Sequence, residues 1–380
     1  MQIVWEGNWI SPNGHSTICR NMTSALSRLG VDVKLRATEL PNPKPYAHLI
    51  RREFLEMMNR PYRTPQQRIR IIHRTPGDYE REDDLITLGM TYSETTEVPE
   101  HWARQVNDCV DGLILASQAS ADAFLRAGVH VPLWIAPQGV DTHRFRPRAR
   151  DAKAKADLPR FRFLSVFEWS LRKGYDVLLP AFWEEFRANE DVCLVVKTRS
   201  FPDHSTSSPA EYIRGLKKRL GYQKTAPVYL YDGVLPEKRL ASLYRLSSAF
   251  VLPTRGESIG LPFLEAAAAG LPIVATGWGG QMEFLSASDM FPVDFSLQSV
   301  PEFVSGHNES LVGQWAEPDI SSLRQQMRRV YRSYVRARRM ALRQRKRVVQ
   351  TRSWDACATR LVQFLEQAAG TPIRGKEKGT

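Results

Sequence analysis

Two acids and two bases in this chain have the types and spacing to do chemistry. Glu257 and Glu265 stand eight positions apart in GESIGLPFLEAA, and Arg172 stands next to Lys173 in EWSLRKGYD. Carboxylates accept hydrogen bonds from sugar-type hydroxyls, whereas a guanidinium fork beside an ammonium point charge suits a diphosphate. Between the acids, the amides of Ser258, Ile259 and Gly260 run into a helix start, where unpaired N–H groups and the helix dipole favour an anion. A bare phosphate would need no flanking carboxylates; a phosphate joined to hydroxyl-rich groups would. The plain alternative is a set of solvated charges, and the apolar strands and the glycines at 277, 279 and 280 around them weigh against it.

These residues need a frame. Residues 249–254 read as a short buried parallel strand, residues 261–269 as a helix with Pro262 in its first turn and Gly270 at its stop, and residues 272–276 as a second strand. Strand, loop, helix and strand make a right-handed crossover, and ligands of such open sheets bind at the C-terminal strand edge. The same alternation runs through the chain. Strands are expected at 2–5, 31–35, 68–73, 85–92, 112–116 and 132–136, then at 161–167, 192–197 and 228–232. Helices are expected at 15–29, 47–58, 101–107, from 118 to 127, and at 177–186, 211–220 and 238–247. His73 ends a strand ahead of Arg74-Thr75-Pro76, at the ligand edge, although a strand-end histidine is more often structural.

At 380 residues the chain is too long for one ordinary core, so two domains are expected. No run of 18 apolar residues occurs and Met1-Gln-Ile-Val-Trp5 enters a strand directly, which predicts a cytoplasmic protein. Cys19, Cys109, Cys193 and Cys357 are far apart without metal-type pairing and read as buried free thiols. The net charge is +12, and residues 321–354 carry twelve Arg and Lys with no acid. Leu323, Met327, Val330, Tyr334, Ala337 and Ala341 recur at helical spacing, so the cations are expected to cover the outer face of one amphipathic helix. Such a face is usually just solvated. An anionic membrane surface is the partner we expect if it has one, because only Tyr331 and Tyr334 offer base stacking to nucleic acid.

Glu257, seven intervening residues and Glu265, set in GLPFLEAAAAGLPIVAT, resemble the signature of retaining glycosyltransferases of family 4, which have the GT-B fold. The segment IAPQGVDTHRFRP at 135–147 is similar to the family's P-x-G-V-D-x-x-x-F-x-P segment, which closes the first domain. The resemblance implies an α/β chain of two Rossmann-like, doubly wound parallel-sheet domains facing each other across a cleft. Their expected bounds are 1–147 and 161–352, with a linker at 148–160, a helix at 353–368 crossing back onto the first domain, and a tail at 369–380.

It further implies transfer of a sugar from a nucleoside diphosphate sugar to an acceptor hydroxyl with retention. Arg172 and Lys173 would neutralise the leaving diphosphate, Glu257 would hold sugar hydroxyls and Glu265 the ribose. Ser258, Ile259, Gly260 and Leu261 complete the donor set, and the backbone of Gly233 and Val234 would read the base. In the first domain Gly14 stands in a loop poorer in glycine than the family's, and Glu94 stands where many members carry a histidine near the transferred sugar. Gly14, His73 and Glu94 are therefore candidates for acceptor or sugar contact. The nucleotide sugar is a co-substrate; no cofactor or metal is expected, since no Asp-x-Asp motif ends a strand. The acceptor would be a glycan, a lipid or a small molecule. The rival reading is a nucleotide-sugar-binding protein without turnover that docks through its arginine-rich helix, and an epimerase or phosphorylase could share the fold.

Overall fold

The computed structural model describes residues 1–38, 49–147, 158–199, 208–306 and 308–373. They form two compact units, Met1–Gly139 with Ser310–Val312 and Thr351–Thr380, and Val140–Glu309 with Gly313–Gln350.

The first unit holds one parallel sheet of β1 (Gln2–Gly7), β2 (Asp32–Ala37), β3 (Arg68–His73), β4 (Ile86–Met90), β5 (Gly112–Leu115) and β6 (Leu133–Ile135), in the order β2-β1-β3-β4-β5-β6. Helices α1 (Gly14–Arg28), α2 (Arg52–Asn59), α3 (Glu100–Cys109) and α4 (Gln118–Arg126) alternate with the strands. Asn13 and Ser117 cap α1 and α4 by accepting from the amides of Ser16 and Ser120. The six strands fall where their apolar runs predict. The helix expected at 47–58 begins only at Arg52, and residues 47 and 48 lie outside the described residues.

The second unit carries β7 (Phe161–Val166), β8 (Val192–Thr198), β9 (Val228–Asp232), β10 (Ala249–Leu252), β11 (Ile273–Thr276) and β12 (Phe291–Val293), in the order β12-β11-β10-β7-β8-β9. All neighbours pair in parallel. Strand order reverses between β7 and β10, the switch point at which open α/β sheets leave a crevice for a ligand. Around the sheet lie α5 (Tyr175–Glu185), α6 (Pro209–Arg219), α7 (Glu237–Leu246) and α8 (Leu261–Ala268). An antiparallel hairpin of β13 (Phe295–Ser299) and β14 (Gln314–Pro318) follows, with the short α9 (Glu302–Ser305) between its strands. Most of the linker expected at 148–160, the loop at 200–207 and the last seven residues of the expected tail lie outside the described residues.

The basic segment departs from expectation in two ways. It is two helices, α10 (Ile320–Arg332) and α11 (Tyr334–Thr351), interrupted at Ser333, whose φ of −112° and ψ of 39° are not helical. The cations are also not left to repel one another. Arg324 pairs with Glu184 and Glu185, Arg328 with Glu185 and Glu190, and Arg343 and Arg347 both with Asp289. Arg345 Nε donates to the carbonyl of Ala268 at the C-terminal end of α8, where a cation complements the dipole. The acids that balance the segment come from α5 and from loops distant in sequence. The last helix, α12 (Trp354–Ala369), is capped by Ser353 and packs against α1 in the first unit.

Candidate active site at the switch point of the second sheet

The loops after β7 and β10 meet because one glycine lets them. Gly174, at φ +70°, would place an added Cβ 2.1 Å from the carbonyl oxygen of Pro253. No other residue combines that conformation with that approach. Directly before it, Leu171–Lys173 form a single 3-10 turn that presents Arg172 and Lys173. Gly280 does the same between the loops after β10 and β11: its Cβ would lie 1.7 Å from Ser258 O, and its amide donates to Glu257 O at 2.7 Å.

Within this frame Lys173 Nζ donates to Glu257 Oε1 at 2.6 Å, and Arg172 Nη1 lies 3.7 Å from Glu257 Oε2. Lys173 and Glu257 are both buried. Burial alone would push the Glu257 carboxyl up, but Lys173 and Arg172 overcome it and hold the carboxyl below its ordinary range. Arg172 Nη1 also donates to Gly256 O at 2.6 Å. The two bases and the first acid therefore form one buried ionic cluster, not separate groups waiting at a loop surface.

A second cluster holds the turn from behind. Arg255 forks onto Asp176 through Nη1 and Nη2, both at 2.8 Å, and onto Glu317 of β14 through Nε and Nη2 at 2.6 and 2.7 Å. It lies over the Trp315 ring at 5.2 Å. Its Nη1 also donates to Leu171 O, and its amide to Arg172 O at 2.7 Å. Neither Arg255 nor its partners could be singled out beforehand, since nothing local distinguishes an arginine after a strand.

Ser258, Ile259 and Gly260 are buried and lead into α8, whose first residue is Leu261. No side chain caps that end; Gly260, at φ +73°, is its N-cap. This helix start lies against the Glu257 side chain, 3.4 Å from a Cβ built on Gly260, and Glu257 in turn holds the two cations. Glu265, one turn further on, is half-buried, and its Oε2 accepts from Tyr244 Oη at 2.7 Å. Burial pushes its carboxyl up to about 7, Glu237 adds to the rise, and Tyr244 and Arg144 oppose it. Gly233 follows β9 at φ +105°, but its amide already donates to Thr198 O at 3.1 Å. Of its backbone groups the N–H is thus committed to the sheet edge and not open to a base. Val234 is exposed.

The three candidates of the first unit sit at the same edge of its own sheet. Gly14 opens α1, and Glu94 is half-buried in the loop after β4. His73 is not an open strand-end group. It is buried, shares a 2.6 Å hydrogen bond between Nε2 and Tyr92 Oη, and stacks on His15 with ring centres 5.8 Å apart. Burial, then the neighbouring His15, hold it well below its ordinary pKa, so it is a neutral member of an aromatic cluster with Trp5, His15 and Tyr92.

Among the described residues, no group of three or more His, Cys, Asp and Glu side chains could hold a metal ion, and no helix is long and apolar enough to cross a membrane.

The family model of glycosyl transferases group 1 matches residues 159–294, and that of family 4 glycosyltransferases in conflict systems matches residues 234–361. D-inositol 3-phosphate glycosyltransferase 1 of Catenulispora acidiphila is 33% identical over 147 residues, 37% of this chain and 34% of that protein. The GDP-mannose-dependent alpha-(1-6)-phosphatidylinositol monomannoside mannosyltransferase of Mycobacterium tuberculosis is 30% identical over 195 residues, 47% of each chain. The chain thus spans less than half the length of these relatives. Sucrose-phosphate synthase from Thermosynechococcus elongatus has the same fold at a TM-score of 0.69 and 18% identity, covering 97% of this chain and 99% of that one. With two six-stranded Rossmann-like sheets the chain has the GT-B fold, and both glycosyltransferase family models fall on the stretch that carries the paired glutamates, which is thus similar to the group 1 glycosyl transferases of family 4.

Proposed function

We propose that the protein transfers a sugar from a nucleoside diphosphate sugar to an acceptor hydroxyl, with retention and without a metal. The observation that carries this reading is the convergence of Arg172, Lys173, Glu257 and the uncapped start of α8 on one switch-point crevice. As the bond from the anomeric carbon to the diphosphate breaks, negative charge grows on the leaving oxygen, and these fixed donors stabilise it. The acceptor oxygen bonds to the same face of the anomeric carbon, and its proton passes to the departing phosphate. Glu257, held by Lys173, accepts from sugar hydroxyls, and Glu265 accepts from the ribose. Relatives named for inositol phosphate and phosphatidylinositol mannoside acceptors favour a polyol hydroxyl on this side of the reaction.

The test is a thermal-shift series with UDP, GDP and ADP and their sugars, run in excess EDTA, followed by product analysis. A ligand at about 100 times its Kd adds about 2.7 kcal/mol, so one nucleoside diphosphate should raise the Tm by several degrees with EDTA present. Absence of a shift with all three would overturn the site. A shift or turnover that needs added magnesium or manganese would overturn metal independence. Binding and hydrolysis without transfer to any acceptor would favour the binding protein.

A peripheral contact with an anionic membrane surface is the second reading, at the cytoplasmic face. The exposed side of α11 carries Val335 (69% exposed) and Leu342 (46%) among exposed Arg336, Arg339 and Lys346. Each cation near such a surface contributes about 1 kcal/mol. Arg343 and Arg347 hold Asp289, so charge reversal there would disturb the fold, and Arg336, Arg339 and Lys346 are the residues to change to Glu. Co-sedimentation with anionic but not neutral vesicles, lost in the triple variant and at high salt, is expected; equal recovery in the supernatant would leave α11 a solvated face.

A further inference from the structure

Tyr244 has no part in the ionic cluster, yet it is the phenol that fixes the second glutamate. It is fully buried near the end of α7, with its ring stacked on Phe250 of β10 at 5.9 Å and met edge-on by Phe145 at 5.4 Å. Its hydroxyl reaches the 2.7 Å contact to Glu265 Oε2 and lies 3.4 Å from the carbonyl of Pro262 in the first turn of α8. Phe145 is itself anchored: Arg144 pairs with Glu237, and Arg245 Nη1 donates to the Arg144 carbonyl at 3.2 Å. A buried tyrosine has two stiff side-chain torsions and here two ring neighbours, so it is a fixed donor.

We propose that Tyr244, braced by Phe145, is a positioning residue that holds one oxygen of Glu265 so that the other faces the ribose hydroxyls of a bound nucleoside diphosphate. This rests on the donor-site reading above and adds to it the group that sets the orientation of Glu265. The charged and titratable groups facing Glu265 are Tyr244 and Glu237 from α7 and Arg144 from the preceding segment. A phenol donating to a carboxylate favours the charged form. Without the hydroxyl, Glu265 is therefore protonated to a higher pH and is also free to rotate.

The experiment compares wild type, Tyr244→Phe and Phe145→Leu, with the carboxyl carbon of Glu265 followed by NMR through a pH series in the ligand-free proteins. In Tyr244→Phe the midpoint should move upward from a wild-type value about neutral, while the fold, judged by circular dichroism, persists. An unmoved midpoint overturns the proposal, whether or not any nucleotide binds. Calorimetry with the nucleoside diphosphate that stabilises the wild type is the second arm. Tyr244→Phe should weaken it about tenfold, but weaken its 2′,3′-dideoxy analogue much less. Phe145→Leu should show the same pattern more mildly. Equal losses for both nucleotides would mark Tyr244 as a packing residue and overturn the proposal. Failure of the wild type to bind any of UDP, GDP and ADP would instead overturn the donor-site reading, and with it the ribose part of this one.

Discussion

Lys173→Met is expected to lower the unfolding free energy by about 3–5 kcal/mol, the cost of stranding one partner of a buried ion pair. The stranded group would be Glu257, only 5% exposed at its side chain, with Arg172 at 3.7 Å as its remaining cation. Urea unfolding measures this. The double variant Lys173→Met, Glu257→Leu should recover much of the loss, because two apolar groups of similar volume leave no charge behind. Neither variant should bind a nucleoside diphosphate as the wild type does, since the ammonium proposed to face the diphosphate is gone in both. The pH dependence has a definite sign. The folded carboxyl of Glu257 lies below its ordinary 4.5, so its contribution is present above that value and is lost as pH falls through the folded pKa. The deficit of Lys173→Met should therefore shrink in acid. A loss under about 1 kcal/mol at neutral pH would mean that the pair is solvated and that the site is looser than its geometry.

Arg255→Met should have the next largest effect. It leaves Asp176 and Glu317 without their fork and the Leu171 carbonyl with the Gly174 amide in place of two donors. Both acids are about one quarter exposed, at 26% and 25%, so the stability cost is set lower than for Lys173, at about 2–3 kcal/mol. Because Arg255 grips the backbone of the turn that carries Arg172 and Lys173, nucleoside diphosphate affinity should fall as well, about tenfold. Arg255→Lys should restore charge but little affinity, as an ammonium cannot fork onto two carboxylates at once. Denaturation and calorimetry on the two variants decide the matter. Unchanged affinity in Arg255→Met would show that the Gly174 contact with Pro253 holds the turn unaided.

Much of this was legible in the sequence because it depends on local rules. Apolar runs set the twelve parallel strands but the last, and proline and glycine bracketed α8 at Leu261 and Gly270. The basic segment shows where local reading stops. Its helical period was visible, but its break at Ser333 and its acids at 184, 185, 190 and 289 were not, because pairs between segments distant in sequence have no signature in either segment. The same holds for the hairpin of β13 and β14, whose mostly exposed first strand lacks an apolar run. His73 was placed correctly at a strand end, yet its burial depends on His15 from the start of α1 and Tyr92 from the loop after β4.

By itself the sequence determined the alternation of strand and helix, the spacing of Glu257 and Glu265 and the resemblance of that spacing to a family signature. Tertiary structure alone decided what those residues do to one another. Lys173 meets Glu257 across 84 positions because strand order places β7 beside β10, and sheet order is a property of the whole packed chain. Glu257 and Glu265 are chemically identical, but one is held ionised by two cations and the other is pushed toward neutrality by burial and a second acid, against the hydrogen bond from a phenol. The physical reason is that ionisation depends on desolvation and on the nearest charges, and both are fixed only when distant segments close around the group.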